Sequence, residues 1–121
     1  MRKGYDAFGK GDMETIRSLF AEDIVWHSPG RSPFAGTYRG IDEVLGQFAR
    51  LMQETGGTFR LEIHDILADD DHAVVLVRAR AERNGKSLDD TTVQVWHLKD
   101  GKATEQWLHP GDQYADDEFW S

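Results

Sequence analysis

Residues 72–110 read HAVVLVRARAERNGKSLDDTTVQVWHLKDGKATEQWLHP, and the fold is decided in this stretch. Ala73, Val75, Val77, Ala79 and Ala81 recur at every second position, which places them on one face of an extended chain. Asn84-Gly85 follows, and both residues tolerate the positive φ of a type I′ turn, the commonest way to fold a strand straight back on itself. A second strand then runs from Leu88 to Leu98 and turns at Lys99-Asp100-Gly101. A third runs from Lys102 to His109 and stops at Pro110-Gly111. Three long strands joined by tight turns form an antiparallel meander.

Upstream, the same period of two holds at Phe59, Leu61 and Ile63, which alternate with Arg60, Glu62 and His64 and add another strand. Before Gly56-Gly57 the period changes. Ile41, Val44, Leu45, Phe48, Leu51 and Met52 form one helical stripe over 41–55, and the glycine pair stops it. Ser28-Pro29-Gly30-Arg31-Ser32-Pro33 is a loop, and Ile24–Ser28 before it alternates as a short strand that should join the sheet. The first 20 residues read as a helical pair broken at Gly9-Lys10-Gly11. Asp12 is the N-cap of its second member, over 12–20, with Glu14 in the first turn and Met13, Ile16, Leu19 and Phe20 at helical spacing. At the other end, Asp112–Trp120 suits one short helix. Helices first and a long antiparallel meander afterwards is an α+β order, and no glycine-rich nucleotide loop or parallel crossover interrupts it. Four long strands in sequence twist and curl, so helices packed into the concave side leave a cavity at the open end.

The 121 residues suffice for one domain, 1–121, and 39% hydrophobic content with 13 aromatic residues supplies its core. The absence of cysteine excludes disulfides, thiolate metal sites and cysteine nucleophiles. No apolar run approaches membrane-spanning length and no signal-peptide core follows Met1, so a cytoplasmic protein without a membrane partner is expected. Residues 1–60 carry eight charges of each sign, whereas 61–121 carry six basic and 14 acidic residues and hold the whole net charge of −8. A nucleic acid would be repelled, and no basic stripe offsets that. Of the five histidines no two stand at helical i, i+4 spacing, and no metal site or other cofactor is expected.

Gly11-Asp12-Met13, followed by Leu19 to Pro29 with His27-Ser28-Pro29 at the strand's end, resembles the opening of the nuclear transport factor 2-like superfamily, and within it the SnoaL-like polyketide cyclase branch. Tyr38-Arg39-Gly40 ahead of a helix, and Asp100-Gly101-Lys102 with Glu105 and Trp107, are similar to further motifs of that branch. The resemblance covers nearly the whole chain, although the first helix is short for the superfamily, so residues ahead of Met1 are expected. It implies a cone: a strongly bent antiparallel sheet wrapped around helices with an internal pocket, in a homodimer. It does not fix the chemistry, because the superfamily holds isomerases, cyclases, hydrolases and non-catalytic binders. The base aspartate of ketosteroid isomerases falls at Ser28 and their oxyanion-hole aspartate at Gln94, so steroid isomerisation by that pair is not expected. The acid–base aspartate of the cyclases corresponds to Asp112, five residues after Trp107 and one further than the family spacing.

These residues lead to two readings. In the first, the chain is a cofactor-independent acid–base enzyme of isomerase, cyclase or hydrolase type, acting on a small apolar oxygenated molecule. His27 is its proton shuttle, since imidazole titrates near neutrality, with His109 and Asp112 in support across the Pro110-Gly111 turn. Trp26, Tyr38, Gln94, Trp96 and Trp107 line the pocket. In the second, the same pocket binds a small ligand without catalysis. Each residue also has an ordinary structural role open to it: a strand-end histidine on a backbone carbonyl, an N-cap for Asp112, core packing for the tryptophans and a loop staple for Tyr38. Strict alternation puts Trp26 and His27 on opposite faces, and we expect Pro29 to twist the strand end enough to bring both inside. Thr91, Val93, Val95, Val74 and Leu76 then lie on the far face, where a twin would cover them.

Overall fold

A computed structural model describes residues 2–121. Met1, where the sequence reading expects further residues to join, lies outside the described residues. The chain begins with α1 (Arg2–Lys10) and α2 (Met13–Leu19), then β1 (Phe20–Ser28), β2 (Gly36–Arg39) and α3 (Ile41–Glu54). The meander follows as β3 (Arg60–Ala68), β4 (His72–Arg83), β5 (Lys86–Lys99) and β6 (Lys102–Pro110), and α4 (Gln113–Trp120) closes the chain. The six strands form one sheet in the order β2-β1-β6-β5-β4-β3. All neighbours are antiparallel except β1 and β6. The α+β class, the curled sheet and the expected helices are present.

Local chemistry accounts for the boundaries. Asn84 and Gly85 have φ of 50° and 76°, and Asp100 and Gly101 repeat the geometry at 51° and 78°, so both hairpins use the turn that matches strand twist. Asp12 caps α2 by accepting from the Thr15 N–H at 3.1 Å. Three features differ from the sequence reading, the first being the parallel pairing of β1 with β6 in a sheet expected to be antiparallel. Phe20 leaves the helix and opens β1, four residues earlier than expected, because its ring packs on Trp26, Phe48 and Trp96 in the core. Strand β2 was not foreseen: Gly36–Arg39 has no alternating apolar pattern and gains its strand hydrogen bonds from β1, with Trp26 opposite Tyr38.

Bulges between Ile63 and Asp65, and between His97 and Leu98, bend the sheet toward the helices. The β4 residues read as one face are all buried: Ala73, Val75, Val77, Ala79 and Ala81. Ala73, Val75 and Val77 share a core with α1, α2 and α3 through Phe8, Ile16, Val44 and Phe48, whereas Ala79 and Ala81 belong to a second cluster with Phe34, Phe119 and Trp120. At the opposite end α4 is clamped across the sheet. Arg83 Nη1 donates to the carbonyls of Phe119 (3.1 Å) and Ser121 (2.8 Å), and Lys86 Nζ donates to that of Glu118 (2.8 Å). Two cations at a helix C-terminus satisfy its free carbonyls and oppose its dipole. Asp117 Oδ1 also accepts from the Arg31 N–H at 2.9 Å, which ties the 29–35 loop to the helix. Glycine is favoured at 30 because φ is 102°, and an added Cβ would also force the Asp117 and Gln113 side-chain ends to move.

Candidate active site

Between the concave face and the helices lies a cavity of about 710 Å³, within the size range of small-molecule sites. Its wall is mostly aromatic and aliphatic, with Phe20, Trp26, Phe48, Phe59 and Trp96 prominent. Polar groups enter at a few points. From the sheet come Ser28, Thr92 and Gln94, from the helices Tyr5, Gln47 and Asp116, and Lys3 with the turn residues Asp69, Asp70, Asp71 and Asp100 also border it.

Tyr5, Gln94 and Trp96 form a directed chain. The Trp96 indole can only donate, and its Nε1–H reaches the Tyr5 hydroxyl at 3.3 Å. The Tyr5 hydroxyl in turn donates to Gln94 Oε1. That direction orients the Gln94 amide and leaves its NH2 as a donor in the cavity wall. Burial pushes the Tyr5 phenol well above its ordinary value, partly offset by the Trp96 hydrogen bond, so it stays protonated across the physiological range.

Asp116 is a cavity carboxyl whose titration is shifted upward. Burial raises its carboxyl from 3.8 to about 6, a hydrogen bond with Trp120 partly offsets this, and the nearby Asp117 and Asp90 carboxylates push the same way as burial. A carboxyl poised near 6 can take up and release a proton near neutral pH. Other polar groups await partners. Gln47 Nε2 donates to Ser28 Oγ at 3.0 Å, while Gln47 Oε1, Thr92 Oγ1 and both amide atoms of Gln106 are buried without a protein partner. Gln106 sits between Trp26 and Trp96 in the sheet register and is fully buried.

The residues expected from sequence divide sharply. Trp26, Gln94 and Trp96 line the cavity. Tyr38 faces the core beside them, but its hydroxyl is spent on the Phe34 carbonyl at 2.8 Å, the loop-staple arrangement. His27 does not point into the cavity. Alternation prevails over any twist from Pro29, because β1 is paired on both sides through His27, with Thr37 on β2 and Trp107 on β6. Its Nε2 lies 2.6 Å from Glu105 Oε2, and its ring stacks on Trp107 at 5.1 Å and 12°. Trp107 is therefore on the outer face as well, where His97 meets it edge-on at 4.7 Å. His109, opposite Val93, shares that face and is exposed. Asp112 is the N-cap of α4, accepting from the Ala115 N–H at 3.1 Å, and among the described residues no hydrogen bond or ion pair joins it to His109. The expected His27, His109 and Asp112 constellation is not assembled around the cavity. Nor, among the described residues, do three or more His, Asp or Glu side chains converge in a metal-binding arrangement.

The groups that sequence reading missed come from the helices. Tyr5 belongs to a helix whose Tyr5-Phe8 spacing puts both rings on one face, so a buried hydroxyl needing a partner was inferable. Asp116 stands four residues before the buried Trp120, hence on the same face of α4, and an acid on the apolar side of a helix was the available signal. Gln47, on the otherwise apolar stripe of α3, is the same kind of sign.

Comparison with known proteins agrees with this geometry. The SnoaL-like domain family matches residues 1–106. The structure of Bal32a, from a soil-derived mobile gene cassette, shares 43% identity and a TM-score of 0.96 over 99% of this chain and 92% of that one. IdmH of Streptomyces antibioticus, a candidate polyketide cyclase, shares 25% identity and a TM-score of 0.76 over 91% of this chain and 88% of its own. An uncharacterized protein of Mycobacterium tuberculosis is 30% identical over 122 residues, spanning 100% of this chain and 93% of that protein. The curled sheet, the helix-capped cavity and a family match over most of its length place this chain in the SnoaL-like family, with the nuclear transport factor 2-like fold.

Proposed function

We propose that the protein is a cofactor-independent acid–base enzyme that moves a proton on a small, apolar, oxygenated molecule held in the cavity. The observation that carries this reading is the Asp116 carboxyl, poised near neutral pH in a largely apolar cavity. The Gln94 NH2, oriented by the Tyr5 hydroxyl that donates to its carbonyl, is a cavity-wall hydrogen-bond donor suited to an enolate or alkoxide oxygen. Asp116 takes the proton-transfer role that the sequence suggested for His27, His109 and Asp112. Enolisation, the step common to isomerisation and aldol-type cyclisation, needs a base and an oxyanion donor.

The test is proton exchange. A panel of aromatic ketones in deuterated buffer, followed by NMR, should show enzyme-dependent loss of α-protons that rises as pH passes about 6, where Asp116 ionises. Asp116→Asn should slow exchange about 100-fold, the usual scale of general-base catalysis. Ketones that bind without any exchange would establish the non-catalytic binder, which the largely apolar wall also suits.

The assembly is a homodimer in the cytoplasm, joined through the outer face. Val74, Leu76, Val93, Val95 and Trp107 form a half-exposed apolar surface there, of the kind a second copy covers. Light scattering at micromolar concentration should give twice the chain mass, and a monomer overturns the assembly.

A further inference from the structure

The outer face of the sheet holds a pair of groups that the cavity chemistry leaves unused. His72 on β4 and His97 on β5 are direct cross-strand partners, so their side chains leave the sheet on the same side. Both are exposed, at 60% and 45%, and their ring centres stand 5.1 Å apart with the planes at 84°. Two imidazoles bound to one tetrahedral ion, at metal–nitrogen distances of about 2.0–2.1 Å, have ring centres about 5 Å apart. The pair is thus already at chelating distance, set by strand register rather than by a loop. A carboxylate faces Nδ1 of each ring: Asp69 Oδ1 lies 3.8 Å from that of His72, and Glu105 Oε1 4.0 Å from that of His97. Asp69 accepts from the Asp71 and His72 backbone N–H groups at 2.8 and 2.7 Å, which hold its carboxyl below the ordinary value and keep it ionised. Negative charge on that side of an imidazole favours its N–H there and leaves the Nε2 lone pair for a metal.

The surroundings suit a cation. Asp69-Asp70-Asp71 leads into His72 at the start of β4, and residues 61–121 hold the whole net charge of −8, so a divalent ion is drawn to this end of the sheet. Imidazole selects borderline ions such as Ni²⁺, Cu²⁺ and Zn²⁺ over Mg²⁺ and Ca²⁺, which prefer oxygen shells. Among the described residues no third protein ligand converges with the two rings, so water fills the other positions and the ion stays open to exchange. We propose that His72 and His97 form a two-imidazole site for a divalent transition-metal ion on the outer face of the sheet, with Asp69 and Glu105 orienting the rings. The pair stands one row beyond Val74 and Val95, at the rim of the apolar surface on that face. The proposal is independent of the cavity and of any turnover there.

Equilibrium dialysis of the untagged chain against Ni²⁺ and Zn²⁺ at pH 7.5 tests it, in whatever assembly the chain forms. One ion should bind per chain, and millimolar Mg²⁺ should not displace it. His72→Asn and His97→Asn should each weaken binding at least about 10-fold, since even the partners behind a metal ligand are worth that much. His109→Asn, on the same face, should leave binding unchanged. Both test substitutions are at exposed side chains, so the fold should survive them, and each is decisive without the other. Two spectra locate the ion. Zn²⁺ should move the nitrogen resonances of His72 Nε2 and His97 Nε2 but not that of His27 Nε2. Ni²⁺ should quench Trp107, whose ring meets that of His97 at 4.7 Å, and Trp107→Phe should remove that quenching while the ion still binds. Wild-type affinity in either His72→Asn or His97→Asn overturns the site. Displacement by Mg²⁺ also overturns it, by placing the ion on the aspartates. A wild-type chain that binds neither Ni²⁺ nor Zn²⁺ overturns it outright.

Discussion

The two faces of β1, β5 and β6 are one residue apart in sequence and opposite in chemistry. The concave face carries Trp26, Gln94, Trp96 and Gln106, which are large, neutral and buried. The convex face carries His27, His97, Glu105 and Trp107, a cluster in which the ionisable groups pair with one another at the edge of solvent. The side chains best known for acid–base chemistry thus lie outside the cavity and pair with one another. The strands contribute to the cavity only groups that need no counter-ion. A strand residue facing inward is walled in by its neighbours on the same face, so a charge there would be wholly desolvated. The cavity's Tyr5 and Asp116 come instead from α1 and α4 at its borders, where partial hydration keeps a titrating group affordable.

The largest effect that can break this contrast is on stability. Trp96 is 3% exposed and packs against Tyr5, Phe20 and Trp26. Trp96→Ala should cost about 3–5 kcal/mol in chemical denaturation, as for other buried aromatics. Trp107→Ala, on the convex face, should cost the single chain less than half of that. Equal losses would mean that the convex face is as much a core as the concave one.

Next comes the clamp over the cavity. Gly30→Ala should destabilise by about 1–2 kcal/mol, because its positive φ disfavours a side chain and the Asp117 and Gln113 side chains of α4 must move to admit a Cβ. The same variant should speed amide exchange in residues 113–120 if the 29–35 loop holds the helix down. Unchanged protection there would show that Arg83 and Lys86 suffice.

Asp116 gives a smaller but signed effect. Its folded-state pKa of about 6 lies above the unfolded value, so the proton it binds stabilises the fold fully below about pH 4, and that stabilisation is lost as pH rises through 6. Asp116→Asn should therefore be more stable than wild type at pH 8 by about 1 kcal/mol, once the side chain's remaining contact with water is allowed for. The advantage should vanish at pH 4. A variant that is less stable at pH 8 would show that the ionised carboxylate makes a compensating bond.

The smallest effect belongs to the convex cluster. The His27–Glu105 pair is about one-third exposed on both sides, so Glu105→Gln should change stability by less than about 1 kcal/mol. His27→Ala should leave any ketone exchange within about 2-fold of wild type, because His27 lies on the far side of the sheet from the cavity. A larger loss would restore the histidine to the chemistry and undo the contrast between the faces.

Much of the fold was legible because it is written in short-range patterns. The two-residue period of β4, the Asn84-Gly85 turn, the Asp12 cap and the six-residue stripe of α3 each follow from neighbouring residues alone. Strand β2 was not legible, since Gly36–Arg39 becomes a strand only through hydrogen bonds from β1. Trp26, Gln94 and Trp96 were placed correctly in the cavity wall, because even-numbered positions of β1 and β5 share the face of the apolar core. His27 was misplaced by trusting Pro29 over alternation.

What the sequence determined by itself is the order of the elements, the parity of each strand and the identity of the apolar stripes, all properties of residues within a few positions of each other. Tertiary structure alone decided which chemistry meets in the cavity. Tyr5 reaches Gln94 across 89 positions, and His27 meets Glu105 across 78. Asp116 acquires its raised pKa only where α4 folds back over the sheet. Such meetings depend on how the sheet curls and where the helices come to rest. Local spacing carries no record of either, because burial and electrostatic surroundings are made by residues distant in the chain.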